Sequence, residues 1–311
     1  MDNVCHTLVG VAAARAGLGT TTRLATATLA ISANLPDIDV LVFATGVPSV
    51  AFRRGWTHGV VAQVLLPVAL AAAMWLWARP QGSGPATSAA GAVPTSFRWL
   101  LALSFIGIYS HIFLDYLNTY GVRLLMPLSR RWFYGDAVFI IDIWLWSMLG
   151  IGAWRARNGN TRPARIGLAA ASLYVAVMLL SARSARAIVA REWASLTGKP
   201  AVGLMVGPVP VDPLRKDIIV DAGDHYVTGR FTWIPLRIAF DAAQIPKNDR
   251  HTAVADARND PKVRGILVWS RFPFWTSKTA NGVSEVTLRD VRFAGMNRGG
   301  FSATTTVPEH D

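Results

Sequence analysis

The sequence predicts a helical polytopic membrane bundle of five or six transmembrane helices, followed by a small, mainly β, water-exposed C-terminal domain. Three observations predict it. Of 311 residues 52% are hydrophobic and only 16% are charged, with a mean hydropathy of +0.32, whereas a soluble domain carries about 25% charged residues. Most of the apolar excess lies before residue 185, in recurring runs that approach the roughly 20 residues a helix needs to cross about 30 Å of hydrocarbon. After Arg183 the composition turns to Pro, Gly, Asp and alternating apolar and polar positions, the pattern of half-buried strands.

Six apolar runs organise the first part: 4–18, 23–46, 58–78, 98–117, 138–154 and 164–182. The first is short and suits a tilted, half-inserted or interfacial helix. Arg79 to Ser96, rich in Pro, Gly, Ser, Thr and Ala, reads as a solvent loop. Residues 118–137 carry Asn118, Tyr120, Arg123, Arg130, Arg131, Trp132, Tyr134 and Asp136, too much polar and aromatic chemistry for a plain connection, and are expected to rim a site. Residues 1–183 thus form a membrane domain, 184–200 a linker and 201–311 the β domain. Within the last, Asp217 to Asp221 and Tyr226 to Trp233 flank a Gly223-Asp224 turn. Gly265 to Trp269 and Val283 to Val291 read as further strands, the latter after an Asn281-Gly282 turn.

The formal charge of +12 raises the question of nucleic acid. The arginines, however, stand in short clusters between apolar runs and not along one amphipathic face, which fits anionic headgroups and membrane orientation. Membrane lipid is the expected partner and nucleic acid is not. The single cysteine, Cys5, excludes an intramolecular disulfide. A cleavable leader is not expected, because Met1 to Gly10 lacks a basic start and His6 interrupts the apolar core one would need.

Ionisable side chains inside apolar segments are costly, so each marks a site. His6 lies near the start of the first run, Asp37 and Asp39 interrupt the second, and His58 opens the third. His111 and Asp115 close the fourth, while Asp136 and Asp142 flank the start of the fifth. Threading the runs back and forth across a bilayer brings the start of each odd run and the end of each even one to one face, and all eight residues fall there. His111 and Asp115, four apart, project from one face of a helix. Asp37 and Asp39 follow Pro36, which ends or kinks a helix and frees backbone around them. Imidazole and carboxylate ligands suit Zn²⁺, Mn²⁺ or Fe²⁺, and this many carboxylates allow one ion or two.

Plainer roles compete at each position. His6 could be a satisfied interfacial histidine, Asp37 or Asp39 a cap or a partner of Arg53 or Arg54, and His58 a helix start. Asp142 could be the anion at a helix start, and Asp136 could orient a ligand or cap. Trp75, Trp77, Trp99, Trp144 and Trp146 read as an interfacial belt. Arg53, Arg54, Arg123, Arg130 and Arg131 share the site face and could hold a phosphate by forked hydrogen bonds, or simply touch headgroups.

Cys5-His6-Thr-Leu-Val-Gly10, Asn34-Leu-Pro-Asp37-Ile-Asp39, Arg53-Arg-Gly-Trp-Thr-His58-Gly59 and Ser110-His111-Ile-Phe-Leu-Asp115 with Thr119-Tyr-Gly121 together resemble the YdjM-type membrane-bound metal-dependent hydrolases of bacteria, over about residues 1–160. The resemblance implies a bacterial inner-membrane protein with metal-dependent hydrolytic activity and His6, Asp37, Asp39, His58, His111 and Asp115 as metal-site residues. The β tail lies outside the shared motifs. The expected function is hydrolysis of a phosphate ester or other ester of a lipid-like substrate at headgroup depth, with Zn²⁺ or Mn²⁺ activating water, Asp136 or Asp142 taking the proton, and the arginines holding the substrate's charge. The rivals are an ion- or proton-coupled transporter and a non-catalytic scaffold with a structural metal. The basic loops near Arg15 and Arg23, Arg79 and Arg98, and Arg155 to Arg165 lie opposite the site, which puts the site and the β domain on the periplasmic side.

Overall fold

The computed structural model describes residues 1–45, 49–78, 93–280, 282–294 and 301–308. Most of the Arg79 to Ser96 loop, and Asn281 of the Asn281-Gly282 turn, lie outside the described residues. Contacts divide the chain into two units, Met1–Ile38 with Arg54–Leu180 and Asp39–Arg53 with Ser181–Asp311.

The first unit is helical. α1 (Asn3–Arg15) starts where the Asp2 carboxylate accepts from the Val4 and Cys5 amides, satisfying two of the amides a helix start leaves bare. α2 (Ala25–Ser32) stops short of Asn34-Leu35-Pro36, and the chain continues as tight 3₁₀ turns over Leu35–Ala44, bent 49° from α2. Proline at the break cannot donate to the preceding turn, so the two segments cannot fuse into one straight helix. α3 (Ser49–Phe52) is one turn that packs in the second unit on α9 (Pro261–Trp269). α4 (Val60–Ala78) and α5 (Phe97–Tyr116) form an apolar pair, α5 capped by the Ser96 hydroxyl. α6 (Ile143–Arg155) is capped by Asp142, and α7 (Arg162–Thr197) runs for 36 residues.

Among the described residues three helices, α4, α5 and α7, are long and apolar enough to cross a membrane, and the bent pair Ala25–Ser32 with Leu35–Ala44 would make a fourth. That is three or four spans by length and composition, against the expected five or six. α1 and α6 have 13 residues each, roughly 20 Å at 1.5 Å per residue against about 30 Å of hydrocarbon. α5 lies at the centre, packed on α2, α4 and α1. Gly107 lets it approach α2, since a β-carbon there would collide with the Ser32 side chain.

The second unit holds two antiparallel sheets. β1 (Gly203–Pro208), β2 (Arg215–Asp221), β3 (His225–Thr232) and β4 (Arg237–Pro246) form one in sequential order. β5 (Pro273–Ala280), β6 (Val283–Asp290) and β7 (Ser302–Pro308) form the other. The turn at Gly223-Asp224 is where the sequence expects it. Two expectations fail. Residues 184–197 are not linker but the end of α7, because Ala185 and Val189 repeat at helical spacing and bury against Leu204, Val206, Ile218, Val220 and Phe231. Gly265 to Trp269 is not a strand but the C-terminal half of α9. Asp260 caps that helix, Pro261 sits in its first turn, and Val263, Ile266 and Trp269 line its buried face.

One buried carboxylate knits β6 to the start of β5. Asp290 accepts from Ser270 Oγ (2.8 Å), Arg271 N (2.7 Å) and Phe272 N (3.1 Å), and its Oδ1 accepts from Arg292 Nε (2.9 Å). Burial opposes its ionisation, but the Arg292 guanidinium and these donors outweigh burial and hold the carboxyl at about 2, against the usual 3.8. A carboxylate lowered on folding stabilises the unit above pH 3.8 and loses that stabilisation as pH falls through about 2. Asp290→Asn in the full chain is expected to weaken protection of β5 and β6 amides in hydrogen exchange by about 2 kcal/mol at neutral pH. The parent should lose that advantage between about pH 4 and pH 2.

Candidate metal centre

Three breaks in helical structure bring the site together. α2 ends at Ser32, so the Ala33 carbonyl has no partner in the next turn. It accepts from His111 Nδ1 on α5 at 2.8 Å. A carbonyl can only accept, so His111 Nδ1 carries the proton and Nε2 presents its lone pair. His111 and Asp115 share the inner face of α5, both completely buried. Five residues past the α2 terminus the 3₁₀ turns deliver Asp37. Just before α4 begins, the turn that ends in Gly59 delivers His58, whose Nδ1 lies 2.9 Å from Thr57 Oγ1. Gly59 is needed for closeness, since a β-carbon there would strike the backbone of Met126.

The ligand atoms converge. His58 Nε2 lies 3.1 Å from His111 Nε2 and 3.2 Å from Asp115 Oδ2, while His111 Nε2 lies 3.6 Å from Asp115 Oδ2 and 3.9 Å from Asp37 Oδ1. One atom from each of Asp37, His58, His111 and Asp115 falls within 4.8 Å of all the others, and all four side chains are buried. Two nitrogens bound to one tetrahedral ion at 2.0–2.1 Å stand about 3.3 Å apart. The observed imidazole separation is already close to that of a shared ion, Asp115 Oδ2 lies within a few tenths of an ångström of it, and Asp37 has to move in by up to about 1.5 Å.

His6 adjoins this set. Its ring stacks on His111 with centroids 3.8 Å apart, and Nε2 is 3.3 Å from Asp115 Oδ1. It is fully buried, and neither ring nitrogen has a hydrogen-bond partner. A buried imidazole with both nitrogens unsatisfied is costly unless something binds there. That orphan, together with the donor set, fits a divalent cation.

Asp115 is the electrostatic centre. Its carboxylate faces Arg54 Nε at 2.9 Å, the Met1 amino group and the imidazoles of His6, His58 and His111. Arg54 Nε is close to Oδ2 without the alignment of a hydrogen bond, so the contact is an ion pair. Arg54 is itself buried, with φ at +54°. Its Nη1 donates to Asn118 Oδ1 at 3.0 Å, and its guanidinium lies 4.6 Å from the centre of the Tyr120 ring. The chain after α5 therefore folds back over the site. Arg123 N donates to the Arg54 carbonyl (2.9 Å), Gly135 N to Tyr116 O (2.6 Å) and Ala137 N to Leu117 O (2.8 Å).

Each residue singled out from the sequence can be placed. Asp37, His58, His111 and Asp115 form the cluster, with His6 beside them. Asp39 falls in the second unit, where Arg53 Nε donates to its Oδ1 at 3.3 Å. That ion pair is the plainer role the sequence allowed it. Asp142 caps α6, its Oδ1 accepting from Leu145 N and its Oδ2 from Tyr174 OH, each at 2.9 Å. It thus has the helix-start role. Asp136 is buried, with φ at +50°, in the segment pinned to Tyr116 and Leu117, the residues that follow Asp115. Arg123 is buried, its guanidinium 4.8 Å from the centre of the Trp132 ring, whereas Arg130 and Arg131 are exposed. Sequence reasoning missed the orienting groups, Thr57 and the Ala33 carbonyl. The break at Asn34-Leu35-Pro36 was the signal for the second, because a helix end leaves carbonyls free to accept.

The profile of the YdjM inner membrane protein family matches residues 1–185, the span that holds every member of this cluster. An uncharacterized protein of Bacillus subtilis (strain 168), YfhP, is 23% identical over 290 residues, covering 90% of this chain and 80% of its own length. No solved structure matches. With a family match over more than half its length, the chain belongs to the YdjM family of inner membrane proteins.

Proposed function

We propose that this protein is a membrane-embedded metal-dependent hydrolase that cleaves a phosphate ester or other ester of a lipid-like substrate at headgroup depth. The observation that carries the reading is the pair of imidazole Nε2 atoms 3.1 Å apart, inside a buried set that also offers Asp37 and Asp115. Asp37, His58, His111 and Asp115 hold the ion, and His6 extends the set toward a second ligand position. Zn²⁺ or Mn²⁺ suits this donor chemistry. Such an ion lowers the pKa of bound water and polarises an ester or phosphoryl oxygen.

The protein's own groups do the rest. The Ala33 carbonyl and Thr57 fix the two rings, so the ligand geometry is set before substrate arrives. Arg54 balances the charge of Asp115, and with Arg123 supplies cationic character where an anionic headgroup would sit. Asp136 is the proton acceptor, on the segment that returns over Asp115. A groove of about 430 Å³ lined by Val60, Gln63, Tyr109, Ile112, Tyr116 and Leu124 takes the apolar part of the substrate. Its lining residues neighbour His58, His111 and Asp115 in the chain. The basic loops near Arg15 and Arg23, Arg79 and Arg98, and Arg155 to Arg165 support a periplasmic site and β-rich unit.

Metal-stripped protein is expected to lose hydrolysis of bis(p-nitrophenyl) phosphate or of phosphatidylglycerol vesicles and to regain it with Zn²⁺ or Mn²⁺. Unchanged turnover after chelation would remove the proposal. His111→Ala should abolish both metal content and turnover while the helices remain folded by circular dichroism. A structural metal would instead show as loss of folding. Asp136→Asn should keep the metal and lower kcat by a factor on the order of 10² to 10⁴. Full activity in that variant would assign the proton to another group.

A further inference from the structure

At one end of the four-stranded sheet, two neighbouring loops present large apolar side chains to solvent. Strand register brings the β1–β2 loop and the β3–β4 loop together there, since Pro208 pairs with Lys216, Arg215 with Thr232 and Thr232 with Arg237. Trp233 N donates to the Leu214 carbonyl at 3.0 Å and joins the two loops. Their tips expose Val211 (57%), Leu214 (44%), Ile234 (74%) and Leu236 (60%). Four large apolar side chains exposed on one pair of loops are more than the scattered singles a surface normally carries.

The same end of the sheet is tied to α7 at a particular height. Trp233 Nε1 donates to Ser181 Oγ at 2.7 Å. In α7 the stretch from Ile166 to Ala182 carries no charge and is bounded by Arg165 and Arg183, roughly 25 Å of helix at 1.5 Å per residue. Ser181 therefore lies in the last turn of the membrane-spanning stretch. Trp233 is pinned where tryptophan is favoured, at the boundary between hydrocarbon and headgroups. Exposed Arg215 and Arg237 flank the tips, exposed Arg183 follows two residues after Ser181 on α7, and Asp212 pairs with Arg215 at 3.2 Å. A basic rim around an apolar tip matches an anionic lipid surface.

We infer that the β1–β2 and β3–β4 loop tips of the C-terminal unit insert into the headgroup layer of the bilayer that α7 spans, with Val211, Leu214, Ile234 and Leu236 as the inserted residues. The unit thus rests on the membrane instead of standing free of it. The inference uses none of the metal-site residues, so it stands or falls apart from the catalytic reading.

The test uses the full chain carrying Cys5→Ala, reconstituted in phosphatidylcholine and phosphatidylglycerol vesicles. Ile234→Cys, Leu236→Cys and, at the opposite end of the sheet, Asp224→Cys are each labelled with bimane. Labels at 234 and 236 are expected to be quenched by nitroxide on the upper acyl chain and shielded several-fold from aqueous iodide relative to the label at 224. Equal iodide quenching at 224, 234 and 236 would overturn the inference. So would tips shielded from iodide yet untouched by the lipid nitroxide, since a protein surface such as a second copy would then cover them.

Discussion

A carboxylate buried in the middle of an apolar bundle organises the first unit. Asp115 has no access to water, and an ionised group in such a place costs several kcal/mol unless charges and donors face it from all sides. The chain answers with five groups from three stretches: the Met1 amine and His6, Arg54 and His58, and His111. The local devices that deliver them are a capped helix start, a left-handed residue, a glycine turn and a helix face. If Asp115 were removed, Arg54 would lose the buried carboxylate it pairs with. This mutual dependence explains why so many polar residues share one small volume in a chain that is otherwise apolar.

The same economy makes the site suited to an ion. Protein cations already balance part of the charge of Asp115, while the two Nε2 atoms and Asp37 provide the remaining donors. Their orientation is not left to chance, because backbone and hydroxyl groups fix the distal nitrogens of His111 and His58. Arrangements of this kind hold the tautomer as well as the position of a ring, and both matter for binding a metal. The 3₁₀ segment that carries Asp37 is unusual in its length, since such turns seldom run beyond three or four residues. Asp39 on the same segment turns to Arg53, so two carboxylates one residue apart serve different ends.

Much of this was legible from residue order. Ionisable groups are expensive in apolar segments, so His6, Asp37, His58, His111 and Asp115 stood out, and back-and-forth threading gathered them at one level. The hairpin around Gly223-Asp224 was legible because its period and its turn residues agree. Other features were not, for identifiable reasons. Asp142 and Asp39 carry the same chemistry as the ligands, and only the neighbouring Leu145 amide, Tyr174 and Arg53 decide their roles. Gly265 to Trp269 is too short for periodicity to separate strand from helix, and the cap at Asp260 should have decided it. The end of α7 lost its hydropathy at Arg183 but kept its helical period at Ala185 and Val189, so composition and period disagreed and composition misled. α1 and α6 are apolar enough to be counted as spans, but at 13 residues each they fall short of the length of a full crossing.

The central claim is that Asp37, His58, His111 and Asp115 share an ion. X-ray absorption at the zinc edge of the Zn²⁺-loaded full chain tests it most directly. The account predicts nitrogen and oxygen ligands at about 2.0–2.1 Å with the outer-shell scattering of two or more imidazoles, and loss of one imidazole's share of that signal in His58→Ala. A spectrum of oxygen ligands alone, or one unchanged by His58→Ala, would contradict it.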